Sequence, residues 1–87
     1  MTTQIIAQGF STIYLPVQSM QSSRQGCANF SVTNSTNSIL YNVKANYVNN
    51  QAGETSQLVA TSFRPRETTT FSICQGYFRN VQADQYY

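Results

Sequence analysis

Histidine is absent from this sequence and ionised side chains are scarce, with three Asp and Glu set against five Lys and Arg. The missing histidine removes the usual base for activating a thiol, so neither cysteine reads as a nucleophile. It also leaves Cys27 and Cys74 with nothing to complete a tetrahedral zinc shell. Among the carboxylates, Glu54 and Glu67 fall in predicted turns and Asp84 lies near the C-terminus, so no two are expected to share a site for acid–base work. No enzymatic activity, metal or cofactor is expected. The five cations, Arg24, Lys44, Arg64, Arg66 and Arg79, are scattered, and a net charge of +2 spread in this way offers no stripe for a phosphate backbone. Nucleic acid is therefore not an expected partner.

Long apolar runs are missing too. None approaches the roughly 20 residues a membrane span needs, so membrane insertion is not expected. The opening MTTQIIAQG lacks the basic and long apolar regions of a signal peptide. That leaves a protein that is not exported, or a mature chain with an added Met.

What fills the chain instead is uncharged polarity. Ser, Thr, Asn and Gln supply 38 of the 87 residues, whereas charged residues make up 9%. This balance is typical of extracellular β proteins. The 40% of residues that are hydrophobic include many Val, Ile, Phe and Tyr, which suit a pleated surface. A chain of this length makes one domain, residues 1–87, that buries only about 60–65% of the surface its unfolded form exposes.

Periodicity reads as strands nearly throughout. From Gln4 to Val17 the odd positions Ile5, Ala7, Ile13, Leu15 and Val17 are apolar, which predicts one long first strand bent near Gly9. Pro16 lacks an N–H and places this strand at an edge. Gln18 to Gly26 reads as a polar loop. Cys27 to Thr33 forms the second strand, with Ala28, Phe30 and Val32 on one face, and the NSTNS turn follows it. The third strand points Ile39, Tyr41, Val43, Ala45 and Tyr47 one way and is expected at the centre. After NNQAGE, where Gly53 supplies a positive φ, come a strand at Gln57–Phe63, the RPRE corner and a strand at Thr68–Cys74. A tight QG link leads to a last strand from Tyr77 to about Tyr86. Six to seven strands separated by turns predict an all-β fold, a small antiparallel immunoglobulin-like β-sandwich, with a small barrel as the alternative.

Two readings remain for the cysteines, a pair of buried thiols or a disulfide, and side-chain parity favours the second. Setting Cys27 opposite Cys74 in an antiparallel pair also sets Ala28 opposite Ile73, Phe30 opposite Phe71 and Val32 opposite Thr69, all on one face. Asn29, Ser31 and Thr33 then meet Ser72, Thr70 and Thr68 on the other. A slip of one residue would destroy this agreement. Directly opposed residues lie within disulfide reach, and closing a loop of about 48 residues stabilises by around 4 kcal/mol in the chain-entropy model. A disulfide implies an oxidising compartment, hence an extracytoplasmic location: periplasmic, secreted or cell-surface.

The stretch VTNSTNSILYNVKANYVNNQAGE, followed by FRPRETTTFSI, resembles the FxLYD-type immunoglobulin-like module of bacterial and archaeal envelope proteins. Leu40, Asn42, Val43, Gly53, Pro65, Glu67, Thr68 and Phe71 carry the likeness, over about half the chain. Arg66 stands where the corner glycine of that family is expected, and neither cysteine belongs to its pattern. The resemblance implies an extracytoplasmic module without catalysis and assigns no functional residues.

Two groups of side chains are left as candidate sites. Ile6, Phe10 and Tyr14 lie on the opposite parity from the core residues of the first strand. They form an apolar strip on an edge, suited to a protein partner or a second copy through strand addition or face packing. Tyr77, Tyr86 and Tyr87 surround the last strand among Asn and Gln, an arrangement that can stack on sugar rings, so carbohydrate is a possible ligand. Asn29-Phe30-Ser31 and Asn34-Ser35-Thr36 also fit the N-glycosylation pattern. The expected role is a structural or adaptor module of a secretion apparatus, pilus or surface complex. The alternatives are a carbohydrate-binding module, a small secreted effector or inhibitor, and a virion component.

Overall fold

A computed structural model of the chain describes residues 9–21 and 24–86. The strands are β1 (Phe10–Leu15), β2 (Val17–Met20), β3 (Cys27–Thr33), β4 (Leu40–Asn49), β5 (Gly53–Phe63), β6 (Thr68–Cys74) and β7 (Gly76–Tyr86). They form two antiparallel sheets, one of four strands in the order β1-β7-β4-β5 and one of three in the order β2-β3-β6. This is the small all-β sandwich that the strand pattern predicts.

Alternation fills the space between the sheets. Leu40, Val43, Ala45, Phe63 and Val81 point inward from the larger sheet and are fully buried. Val32, Phe71 and Ile73 meet them from the smaller one. Three rings close part of the interior: Phe30 lies 5.4 Å from Phe71 and 4.5 Å from Phe78, centroid to centroid, offset geometries that favour aromatic packing. Phe78 thus belongs to the core, although it stands next to the tyrosines of the last strand.

The first strand departs from expectation. Residues 4–8 lie outside the described residues, and with them the expected bend near Gly9; within the described part a break falls at Pro16. Leu15 pairs with Val81 in the larger sheet, while Val17 pairs with Val32 in the smaller one. Without an N–H, Pro16 continues neither ladder, and the chain changes sheet there. Both halves are edge strands, as a proline requires. The polar loop expected from Gln18 starts later, because Gln18, Ser19 and Met20 pair with Ser31, Phe30 and Asn29 through their backbones.

β4, the strand expected at the centre, is flanked by β7 and β5, but its parity is not the one predicted. Leu40 is buried, whereas Ile39 is 46% exposed and Tyr41 lies on the outer face. The cause is an irregularity between Tyr41 and Lys44, centred on Asn42, which takes φ 52°. Asparagine tolerates this left-handed conformation, and the extra residue resets the alternation so that Val43 and Ala45 return to the core.

The turns behave as their residues suggest. Gly53 has φ 81°, and Asn49 Oδ1 accepts from the N–H groups of Gln51 at 2.8 Å and Ala52 at 2.9 Å. At the β6–β7 link Gln75 takes φ 58°. Its N–H donates to Gly26 O at 2.9 Å and its carbonyl accepts from Asn50 N–H at 2.8 Å, so one residue ties the ends of both sheets.

Candidate functional site

Cys27 and Cys74 are joined by a disulfide across the β3–β6 pair, with Cα atoms 4.0 Å apart. Every pair of the anticipated register is present, from Cys27 opposite Cys74 to Thr33 opposite Thr68. The outer side of this pair is a polar ladder in which Ser72 Oγ donates to Asn29 Oδ1 at 2.6 Å and the hydroxyls of Thr33 and Thr68 lie 2.7 Å apart. Both sulfurs are consumed in the bond, so neither is a nucleophile or a ligand. Disulfides of this kind form and persist in oxidising compartments.

The outer face of the larger sheet is different, because apolar rings gather there. Phe10 on β1 is directly opposite Tyr86 on β7, and their centroids are 5.5 Å apart. Tyr41 on β4 meets the same Tyr86 edge-on, also at 5.5 Å. Alternation explains the grouping: Leu15, Val81 and Leu40 point inward, so residues of the other parity must point out. Tyr41 joins the group because of the Asn42 irregularity.

The three rings touch across three strands and yet remain open to solvent, Phe10 at 54%, Tyr86 at 46% and Tyr41 at 38%. Beside them Asn42 Nδ2 donates to Asp84 Oδ2 at 3.0 Å. A hollow of about 450 Å³ opens between Tyr41, Asn42, Thr61 and Tyr86. Tyr14, also exposed, lies on the same face four residues along β1, opposite Gln82.

Phe10, Tyr14 and Tyr86, drawn from two separate groups of candidates, therefore share one surface. Tyr77 does not: it is 74% exposed and pairs with Val48 at the other end of β7, about 30 Å from Tyr86 along an extended strand. Ile6 and Tyr87 lie outside the described residues.

Farther along the same face the surface turns polar. Asn46 Nδ2 lies 2.7 Å from Asn80 Oδ1 and 2.8 Å from Gln82 Oε1. Arg79 lies 3.5 Å from Glu54, an exposed pair of little energetic weight. Arg64, Arg66 and Glu67, neighbours at the RPRE corner, form no ion pair with one another. Glu67 instead accepts the Arg64 backbone N–H at 2.8 Å, and the Arg66 guanidinium donates to Ser35 O and Asn37 Oδ1. Glu54, Glu67 and Asp84 each hold different partners, so no carboxylate pair forms among them.

Of the two glycosylation-type asparagines, Asn34 is fully buried. Its amide donates to Ser38 O and Phe63 O, both at 2.8 Å, and accepts from the Thr36 N–H at 2.9 Å. No atom of it is left to carry a glycan in the folded protein.

Tyr41, Asn42 and Asp84 were not among the candidates read from sequence. The signal for Tyr41 was masked by perfect alternation from Ile39 to Tyr47, and only the conformational tolerance of Asn42 hinted at a parity change. No protein-family model matches the chain, and no curated protein or solved structure matches it.

Proposed function

We propose that the chain is a non-enzymatic structural or adaptor module of an extracytoplasmic assembly, such as a secretion apparatus, pilus or surface complex. It acts through protein–protein contact on the outer face of the four-stranded sheet. The observation that carries this reading is the contact of both Phe10 and Tyr41 with Tyr86, all three open to solvent. The core has its own ring cluster in Phe30, Phe71 and Phe78, so the outer rings are not needed to close the sandwich. A contiguous apolar patch with a polar surround is the usual form of a protein docking surface, and aromatic residues carry much of the energy of such contacts. The disulfide fits an oxidising setting, and the likeness to envelope modules fits the same role. A photo-reactive amino acid at Thr12, on the same face between Phe10 and Tyr14, tests the reading in the source cell. A discrete crosslinked protein that disappears with Phe10→Ser is expected. Failure to capture any protein, with Phe10→Ser folded and every complex unchanged, defeats it.

One observation favours a second reading, carbohydrate binding. Tyr41 and Tyr86 border a hollow beside the Asn42–Asp84 hydrogen bond, which places ring faces next to amide and carboxylate groups able to meet sugar hydroxyls. Here Tyr86→Ala abolishes glycan binding while Tyr77→Ala does not. A glycan array without hits excludes it.

A further inference from the structure

We propose that β1 is an exchangeable strand: it leaves its own β7 and pairs with β7 of a second copy of this chain, joining two copies by reciprocal exchange. This deepens the assembly role proposed above by naming a second copy as a partner.

Four observations carry it. First, β1 and β2 belong to different sheets and are separated by Pro16 alone. The chain therefore steps between sheets within one residue, and short hinges favour exchange between copies. Second, the inward parity is unbroken across the hinge, with Ile13, Leu15 and Val17 all at odd positions and all wholly or partly buried. The same residues therefore suit a single straight strand, and Phe10–Met20 fully extended would reach about 36 Å. A straight β1–β2 keeps β2 on its own β3 and carries β1 away from the molecule.

Third, the rest of the sandwich is held without β1. The disulfide fastens β3 to β6, and β4 lies between β5 and β7. What β1 supplies is a ladder of six residue pairs with β7, from Phe10–Tyr86 to Leu15–Val81, and the side chains of Ile13 and Leu15. Fourth, no covalent link or side-chain hydrogen bond among the described residues ties β1 to a strand other than β7.

Each of these contacts can form equally well with a second copy, since the pairing surface is identical. Only the hinge conformation differs between the closed and exchanged forms, which is why exchange of an identical element is an accessible route to dimers. Departure of β1 bares the Val81 and Ala83 region and an unpaired β7 edge, and a second copy's β1 is the surface most complementary to both. In the exchanged form Phe10 meets Tyr86 of the second copy, so the aromatic patch becomes a joint feature of two chains.

The test uses the opposed pair Ser11 and Gln85. Full-length Ser11→Cys and Gln85→Cys variants are refolded together at high concentration with oxidised glutathione, and the Ser11→Cys/Gln85→Cys double variant is refolded alone when dilute. Exchange yields a product of doubled mass in the mixture, with position 11 of one chain linked to position 85 of the other. A Gly-Gly-Ser insertion after Pro16 relaxes the hinge and is expected to cut that product severalfold. The proposal is overturned if the double variant links within one chain while the mixture gives no interchain product. It is equally overturned if the insertion leaves the yield unchanged, since the link then arises from chance surface contact. Either failure leaves docking of a different protein at the aromatic face standing, because the Thr12 crosslinking experiment reads that separately.

Discussion

The side-chain amide of Asn34 donates a 2.8 Å hydrogen bond to the main-chain carbonyl of Phe63, joining the turn after β3 to the end of β5 in the buried interior. Its second amide hydrogen goes to Ser38 O, and Thr36 serves its oxygen from both N–H and hydroxyl. Asn34→Ala would strand the buried Phe63 carbonyl, while the partly buried Ser38 carbonyl and Thr36 hydroxyl would keep their bond to each other. Since a buried group left unsatisfied costs about 1–3 kcal/mol, a loss of about 2–3 kcal/mol in urea unfolding is expected for the variant. Asn34→Asp should lose at least as much, because a carboxylate would face the same carbonyls. A loss below about 0.5 kcal/mol for Asn34→Ala would remove the network from the stability of the fold.

The Cys27–Cys74 bond closes a long loop that contains β4 and β5. Reduction, or the Cys27→Ser/Cys74→Ser pair, should lower stability by around 4 kcal/mol, with the unfolding transition moving accordingly in thermal melts with and without reductant. Much of the total stability of a small domain is of this size, so the reduced chain should be largely unfolded at 37 °C. Coincident melts would show that the staple is dispensable.

Two glycines should respond to alanine for opposite reasons. At Gly53 a Cβ meets nothing within 4 Å, but φ is 81°, so Gly53→Ala should cost about 1 kcal/mol in backbone strain. At Gly76 the backbone faces Asn49 on β4, and a Cβ would run into the Val48 carbonyl oxygen. Main chain cannot swing aside as a side chain can, so Gly76→Ala should cost more, about 2–3 kcal/mol. Chemical denaturation of both variants checks the order, and a reversed order would contradict the close approach of β7 to β4.

How much of this could be read in advance follows from where parity is constrained. The β3–β6 register was legible because seven consecutive pairs had to agree at once, with the apolar side chains on one face and the polar ones on the other, Thr69 opposite Val32 being the one mismatch. The sheet change at Pro16 was not, because Ile13, Leu15 and Val17 keep one parity whether the strand is straight or bent. The outer position of Tyr41 was hidden for a related reason: one left-handed residue, Asn42, shifts the alternation without disturbing the apolar pattern around it. Phe10 and Tyr14 were placed outside by simple alternation. Their meeting with Tyr86 depended on the β1–β7 pairing, which joins the two ends of the chain and leaves no local mark.

Arg66 offers a way to separate backbone from side chain at the corner before β6. It has φ 70°, its N–H donates to Asn34 O at 2.8 Å, and its guanidinium reaches Ser35 O at 3.0 Å and Asn37 Oδ1 at 3.2 Å. The left-handed backbone is unfavourable for a residue with a Cβ by about 1 kcal/mol. The guanidinium clamp on the Asn34–Ser38 turn offsets part of that. Arg66→Ala keeps the strain and loses the clamp, whereas Arg66→Gly loses the clamp but relieves the strain. The glycine variant should therefore be the more stable of the two by about 1 kcal/mol in urea unfolding and should lie close to the parent protein. Equal stability of the two variants would mean that the corner relaxes away from φ 70° once the side chain is gone, and that the clamp, not the turn, imposes the conformation.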